Sequence, residues 1–200
     1  MNILSSGESG APSIRPNEQH AVTTLDNSRH DFDDVFDSFK HSAFRLEALD
    51  TYRDVEEASD FERFLKGELF PESKNAEWCA WVQEQTNLSK EVQRVHVVSM
   101  PLTPYMRFEI DWRYIFNESA GERIYIIDRS KLPDLEFPLK DFWLFDDNIL
   151  FEMSYDSEGR FLSAKADADD SSVVAHQRLA QALMSSAMSL RKFLSYLRTA

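Results

Sequence analysis

The stretch from Val92 to Asp128 constrains the fold of this chain more than any other. Val92-Gln-Arg-Val-His-Val-Val-Ser-Met100 is dense in β-branched residues and predicts a buried strand that stops at Met100-Pro101. Thr103-Pro104 has the form of an N-cap followed by proline at the first helical position, where a missing N–H costs nothing. Tyr105, Phe108, Trp112, Ile115 and Phe116 then keep helical spacing, Ala120-Gly121 breaks the chain, and Glu122-Arg-Ile-Tyr-Ile-Ile-Asp128 is a second strand. Strand, helix and strand within about 40 residues predict a βαβ unit and a parallel pair.

The flanks supply the rest of a layered fold. Phe32, Val35, Phe36 and Phe39 form the apolar stripe of a helix whose acids, Asp31, Asp33, Asp34 and Asp37, lie largely opposite. Phe44, Leu46 and Ala48 alternate with Arg45 and Glu47, a strand pattern. Ser59-Asp-Phe-Glu62 matches a capping box and predicts a helix start there, with Gly67 as its C-cap. A further helix is predicted over Ser73–Gln85, with Trp78, Trp81, Val82 and Gln85 on one side. Phe142–Phe145 and Ile149–Tyr155 flank the turn residues Asp146-Asp147-Asn148 and predict a hairpin; Asp156–Gly159 is a second turn leading into another strand. Leu179, Leu183, Ala187, Leu190, Leu194 and Leu197 predict one long C-terminal helix. The expected architecture is α/β, with α+β as the variant: a mixed sheet with a βαβ unit and C-terminal antiparallel hairpins, flanked by helices. Residues 1–29 are rich in Gly, Pro, Ser and Asn, and are expected to be a disordered tail before a single domain over 30–200.

Charge narrows the function classes. With 35 acids against 22 bases the chain carries −13, which argues against a general nucleic-acid coat. The charge is polarised. Residues 141–170 hold nine acids and two bases, a net −7, whereas residues 171–200 hold four bases and no acid. Those bases, Arg178, Arg191, Lys192 and Arg198, make the terminal helix either a cation-bearing helix neutralised by the acidic body or a docking helix for an acidic partner. The single cysteine, Cys79, excludes a disulfide framework and fits a reducing cytoplasm. No segment has the length and apolarity of a membrane span, and the first twenty residues lack the form of a signal peptide.

The catalytic fingerprints are missing: no G-x-G-x-x-G or Walker loop, no G-x-S-x-G elbow, no H-E-x-x-H, and no H-x-K of the kind used in phosphodiester attack. The five histidines do not pair at metal-ligand spacing, so neither a metal nor a cofactor is expected. Cys79 and His96 read first as core residues, and Asp146-Asp147 as turn chemistry before a cation site. One constellation invites a ligand: Arg107, Glu109, Glu122, Asp128 and Arg129, with Trp143 and Asp146 at the hairpin, because open α/β sheets bind ligands at strand ends. A buried ion-pair network accounts for the first five without any function and is the first reading of them.

Taken together, Ser42-Ala-Phe-Arg-Leu-Glu47, Arg94-Val-His-Val-Val-Ser-Met-Pro-Leu102 with Tyr105-Met-Arg-Phe-Glu109, Ala120-Gly-Glu122 with Asp128-Arg129, and Asp141-Phe-Trp-Leu-Phe-Asp-Asp147 resemble an uncharacterised actinomycete family. Its members are often encoded beside helix-turn-helix regulators. The resemblance covers residues 32–197 and implies one α/β domain in a regulatory context. The layout is also distantly similar to half of a phospholipase-D-like domain lacking its H-x-K signature. The resulting expectation is a non-enzymatic cytoplasmic regulatory or interaction protein that partners a DNA-binding regulator. The alternative is a small, degenerate phosphodiesterase-like enzyme built on Arg107, Asp128, Arg129 and Asp146. Direct nucleic-acid binding through the last helix is the weakest reading.

Overall fold

A computed structural model describes residues 31–69, 75–132 and 139–199. The tail expected over residues 1–29 and the Pro133 and Pro138 loop lie outside the described residues. Among those described, a seven-stranded mixed sheet runs in the order β6-β5-β4-β1-β2-β3-β7. Its strands are β1 (Ser42–Glu47), β2 (Glu91–Val98), β3 (Arg123–Asp128), β4 (Phe142–Phe145), β5 (Ile149–Tyr155), β6 (Phe161–Asp167) and β7 (Met188–Ser189). β1, β2 and β3 are parallel neighbours, while β4, β5 and β6 form antiparallel hairpins beyond β1. The βαβ unit and the α/β class are therefore both present.

Alternation along the strands divides the core. Phe44, Leu46, Val95, Val97, Ile127, Phe142 and Leu144 pack beneath α6 (Asp170–Ser186), which contributes Val173, Leu179, Ala180 and Leu183. The opposite face is covered in two places. At one end, α1 (Phe32–Ser38) and α3 (Ala76–Asn87) pack Phe32, Phe36, Trp78 and Trp81 on Ala43, Val92, Trp143 and Phe145. At the other, α2 (Val55–Leu65) and the crossover helix meet Val98, Ile124 and Ile126. A polar strip from β1 and β2 runs between these two clusters.

The crossover begins as the sequence predicts: the Thr103 side chain accepts the Met106 N–H, and Pro104 stands at the helix start. It is not uniform, however. α4 (Pro104–Phe108) passes into a π-helical segment, Glu109–Tyr114, before α5 (Ile115–Ala120). In a π turn the backbone bond runs between residues five apart, so Glu109 and Tyr114 occupy one face. Gly121 ends α5 with φ +119°. An added Cβ there would come within 2.6 Å of Thr86 Oγ1, so both the backbone and the space require glycine.

Three expectations change. The Ser59 capping box does not open a helix, because α2 starts at Val55 with an Ala58 N–H bond to the Asp54 carbonyl, leaving Ser59 inside the helix. Gly67 does close it at φ +73°, with the Gly67 and Glu68 N–H groups bonded to Phe64 and Arg63 carbonyls. The helix predicted from Ser73 is described from Ala76 and continues to Asn87, with the expected buried set Trp78, Trp81, Val82 and Gln85. The C-terminal helical run is interrupted. α6 stops at Ser186, Ala187 is extended, Met188-Ser189 pairs with Ile126 and Tyr125 of β3, and α7 (Leu190–Leu197) follows. α6 covers one face of the sheet while Leu190 and Phe193 pack on the other, and a continuous helix cannot serve both.

Candidate functional site

The chemistry of the protein is concentrated in the polar strip. β1 presents Arg45 and Glu47 on the side of the sheet covered by the crossover, and both are buried. The parallel register sets Arg45 beside Arg94 and Glu47 beside His96. Two neighbouring guanidinium groups would repel in a low-dielectric interior, and Glu47 lies between them: Oε1 is 3.1 Å from Arg45 Nε and Oε2 is 2.8 Å from Arg94 Nη1. Arg94 Nε donates to Glu122 at 2.7 Å, and the other Glu122 oxygen accepts the Trp78 indole N–H at 2.8 Å. Burial raises the Glu47 carboxyl, but Arg94 and Arg45 outweigh it and hold the group well below the usual carboxylate range.

His96 is fully buried, with Nε2 2.8 Å from the Leu49 carbonyl and Nδ1 2.6 Å from the Tyr114 hydroxyl. Tyr114 arrives from the π segment and donates its single hydroxyl proton to Glu47 at 2.8 Å. At the carboxyl end of β1, Asp141 accepts the Ala48 N–H at 2.9 Å and the Tyr52 hydroxyl at 2.5 Å. Burial pushes Asp141 up to about 6 against the opposing Tyr52 hydrogen bond. Towards α2, Glu57 accepts the Tyr105 hydroxyl at 3.0 Å and lies 3.5 Å from Arg113 Nη2. Burial, with Glu57 nearby, drives the Glu109 carboxyl well above its ordinary range, and Glu57 is itself raised by burial.

The residues singled out in the sequence fall in five places. Glu122 belongs to the ion network, and Glu109 lies on the π segment facing it. Arg107 is on the exposed side of α4. Asp128 and Arg129 stand at the carboxyl end of β3, at the other end of that strand from Glu122. There Asp128 accepts the Ser130 N–H at 2.9 Å and its hydroxyl at 2.8 Å, which lowers its carboxyl pKa. Arg129 ties the ends of three strands together through the Ala48 and Val97 carbonyls and Ser99 Oγ.

Asp146 occupies the opposite end of β1, about 17 Å from its carboxyl end by strand rise. It lies in a turn in which Asp146 and Asp147 have φ of 50° and 55°, and its carboxylate accepts N–H groups from Lys40 (2.7 Å), His41 (2.6 Å) and Ser42 (3.0 Å). Trp143 is buried under the Arg45 guanidinium, 5.3 Å from the ring centroid, in the α1 cluster. The structure thus places Asp146 at the opposite end of the sheet from Asp128 and Arg129, with Arg107 on the exposed side of α4. It gathers residues that the sequence reading did not join: Arg45, Glu47, Arg94, His96, Tyr114, Tyr52 and Asp141. Their signal was present as polar residues of one parity inside otherwise apolar strands, Arg45-x-Glu47 and Arg94-x-His96.

The bases proposed for docking are all exposed. Arg178 is on α6, Arg191 and Lys192 are on α7, and Arg198 follows α7. Arg191 pairs with Glu118 at 3.2 Å. Cys79 is half-buried between Asn75 and Asn117, and burial with the Glu122 charge raises its thiol. Among the described residues, no group of histidine, cysteine and carboxylate side chains has metal-binding geometry, and no helix is long and apolar enough to cross a membrane.

Residues 30–195 match DUF6879, a domain of unknown function. The chain belongs to the DUF6879 family. No curated protein matches it. The match spans all of the sheet and nearly all of α7, so the polar strip lies within the DUF6879 domain rather than beside it.

Proposed function

We propose that this DUF6879 protein is a non-enzymatic cytoplasmic regulatory or interaction domain that partners a DNA-binding regulator. The observation that carries the reading is the closure of the central network. Arg94 is held by Glu47 and Glu122, both His96 nitrogens are engaged, and Tyr114 bridges His96 to Glu47. A general base needs a lone pair directed at substrate, and a nucleophile needs such a base beside it. Here these groups are directed at one another. The exposed bases of the α7 region, set against an acidic body, support a partner-docking role, since complementary charge steers association and fixes orientation. The resemblance of the sequence motifs to a family encoded beside helix-turn-helix regulators supports the class of partner.

The test is affinity capture of the tagged full chain from its native cell, with and without Arg191→Glu, Lys192→Glu and Arg198→Glu together. Recovery of a DNA-binding regulator by the unaltered chain, lost in the triple variant, is the expected result. Repeated capture with no such regulator overturns the reading.

A further inference from the structure

We infer that the interior between α2 and the π segment is a binding site for an organic cation, an ammonium or guanidinium group, held between Glu57 and Glu109. The first observation is an imbalance of charge. The carboxyl groups on this side of the sheet are Glu47, Glu57, Asp60, Glu109, Glu122 and Asp141, against the guanidinium groups of Arg45, Arg94 and Arg113, with Arg63 reaching Asp60 from the rim. Arg45 and Arg94 are committed to Glu47 and Glu122, which leaves Glu57, Asp60 and Glu109 towards α2 against Arg113 and the rim Arg63.

The second observation is independent of that count. Glu109 is only 7% exposed, and its Oε1 has no hydrogen-bond partner. The groups that act on it electrostatically are Glu57, Arg113, Glu47 and Arg94, so the carboxyl faces into the polar interior. A buried acceptor left unpaired costs about 1–3 kcal/mol, and more for a charged group. Protonation of the carboxyl would relieve this, and burial displaces its pKa in that direction. A bound cation would relieve it with the carboxylate ionised. The π turn makes the arrangement: it brings Glu109 onto the face that Tyr114 already commits to the sheet.

The chemistry favours an organic cation over a bare metal ion. No metal-holding group occurs among the described residues. Aromatic rings adjoin the acids instead. The Tyr105 hydroxyl reaches Glu57, and its ring lies 6.3 Å from Tyr52 and 5.6 Å from Phe61. Carboxylates beside aromatic faces suit ammonium and guanidinium groups. Glu57, whose side chain is 23% exposed on α2, is the member of the pair nearer to solvent. The same chemistry could come from a free amine or from a lysine or arginine side chain of a protein. The inference goes beyond the docking role of α7 and does not depend on it.

The test is calorimetric titration of the full chain with n-butylammonium chloride, with methylguanidinium chloride and with an acetylated, amidated Gly-Gly-Arg-Gly-Gly peptide, using potassium chloride as the ionic-strength control. Saturable binding is expected for at least one of the three and not for potassium. It should weaken by about tenfold or more in Glu109→Gln and in Glu57→Gln, and stay within about twofold in Glu62→Gln, which removes an exposed charge from the same helix. Glu109→Gln mimics the neutral carboxyl, so it keeps the fold; Glu57→Gln gives a second, more exposed probe. Binding of the peptide alone identifies a protein side chain as the source, and binding of the small cations identifies a free amine or guanidine. No saturable binding by any probe, or equal binding in both glutamine variants, overturns the inference and leaves the interior to water.

Discussion

Replacing Arg94 with methionine keeps most of the side-chain volume and removes the positive centre of the interior. Arg94 donates to Glu122 at 2.7 Å and to Glu47 at 2.8 Å, and the two carboxylates are about as buried as it is. In the variant Glu122 keeps the Trp78 N–H, while Glu47 keeps Arg45 and the Tyr114 hydroxyl. Two negative charges then share a desolvated site with one guanidinium. Breaking a buried pair costs about 3–5 kcal/mol, and the upper half of that range applies because one residue serves two partners. For a chain of this size each kcal/mol lowers Tm by about 2–4 °C, so a fall of roughly 10–15 °C is expected.

The pH dependence is the sharper test. In the unaltered protein Glu47 is held below the usual range, so its contribution is present above the unfolded pKa of about 4.3 and is lost as pH falls through its folded pKa. In Arg94→Met its largest favourable partner is gone and burial dominates, so the sign reverses. The variant should recover stability as pH falls from about 8 to about 5. Urea unfolding at both pH values measures this, and Arg94→Met with Glu122→Gln should regain about 1–2 kcal/mol over the single variant. A deficit under about 1 kcal/mol, or one equal at both pH values, would refute the claim that the network is a closed, charge-compensated unit.

Other perturbations report on the surroundings of the network. Asp141 is raised to about 6, so its contribution is full below its unfolded pKa and is lost as pH rises through about 6; in Asp141→Asn that part of the pH–stability curve should flatten, as read by denaturant unfolding at stepped pH. Asp146 behaves oppositely: burial raises it, but the backbone bonds from Ser42, Lys40 and His41 prevail and lower it. Asp146→Asn, which tolerates the positive φ, should cost about 1–3 kcal/mol at pH 7, with the difference shrinking as pH falls through the folded pKa. Gly121→Ala should cost about 1–3 kcal/mol in the same assay from its φ of +119° and the Thr86 contact, and Thr86→Ser, which deletes a methyl but keeps the hydroxyl at 2.6 Å, should rescue little of it.

The elements whose signals are local were legible in the chain. The Thr103-Pro104 cap, the β-branched runs of β2 and β3, the acid-rich turn at Asp146 and the aromatic stripe of α1 each act through neighbours in sequence, so periodicity and turn chemistry identify them. The buried site was legible only in fragments. Glu122 was singled out, but Arg94 and Glu47 are 28 and 75 residues away from it in the chain, and only the parallel register joins them. Nor could spacing alone anticipate the π segment, because Tyr105, Phe108 and Trp112 fit an α-helix, and the shift appears only when Tyr114 must reach His96 and Glu47.

The C-terminus separates the two sources of information most clearly. Its sequence determined that residues 171–186 and 190–197 would be helical, apolar on one side and basic in their exposed charges; the leucine spacing suffices for that, and it also predicted, wrongly, one unbroken helix. Nothing local ends the helix at Ser186, where neither glycine nor proline intervenes. Tertiary structure decided the break: the β3 edge bonds Met188 and Ser189, and carrying the chain around that edge lets α6 bury one face of the sheet while α7 buries the other. One unbroken helix would leave uncovered the part of this face that Leu190 and Phe193 share with Ile124 and Ile126, and burying it is worth more than the few helical hydrogen bonds given up at the turn.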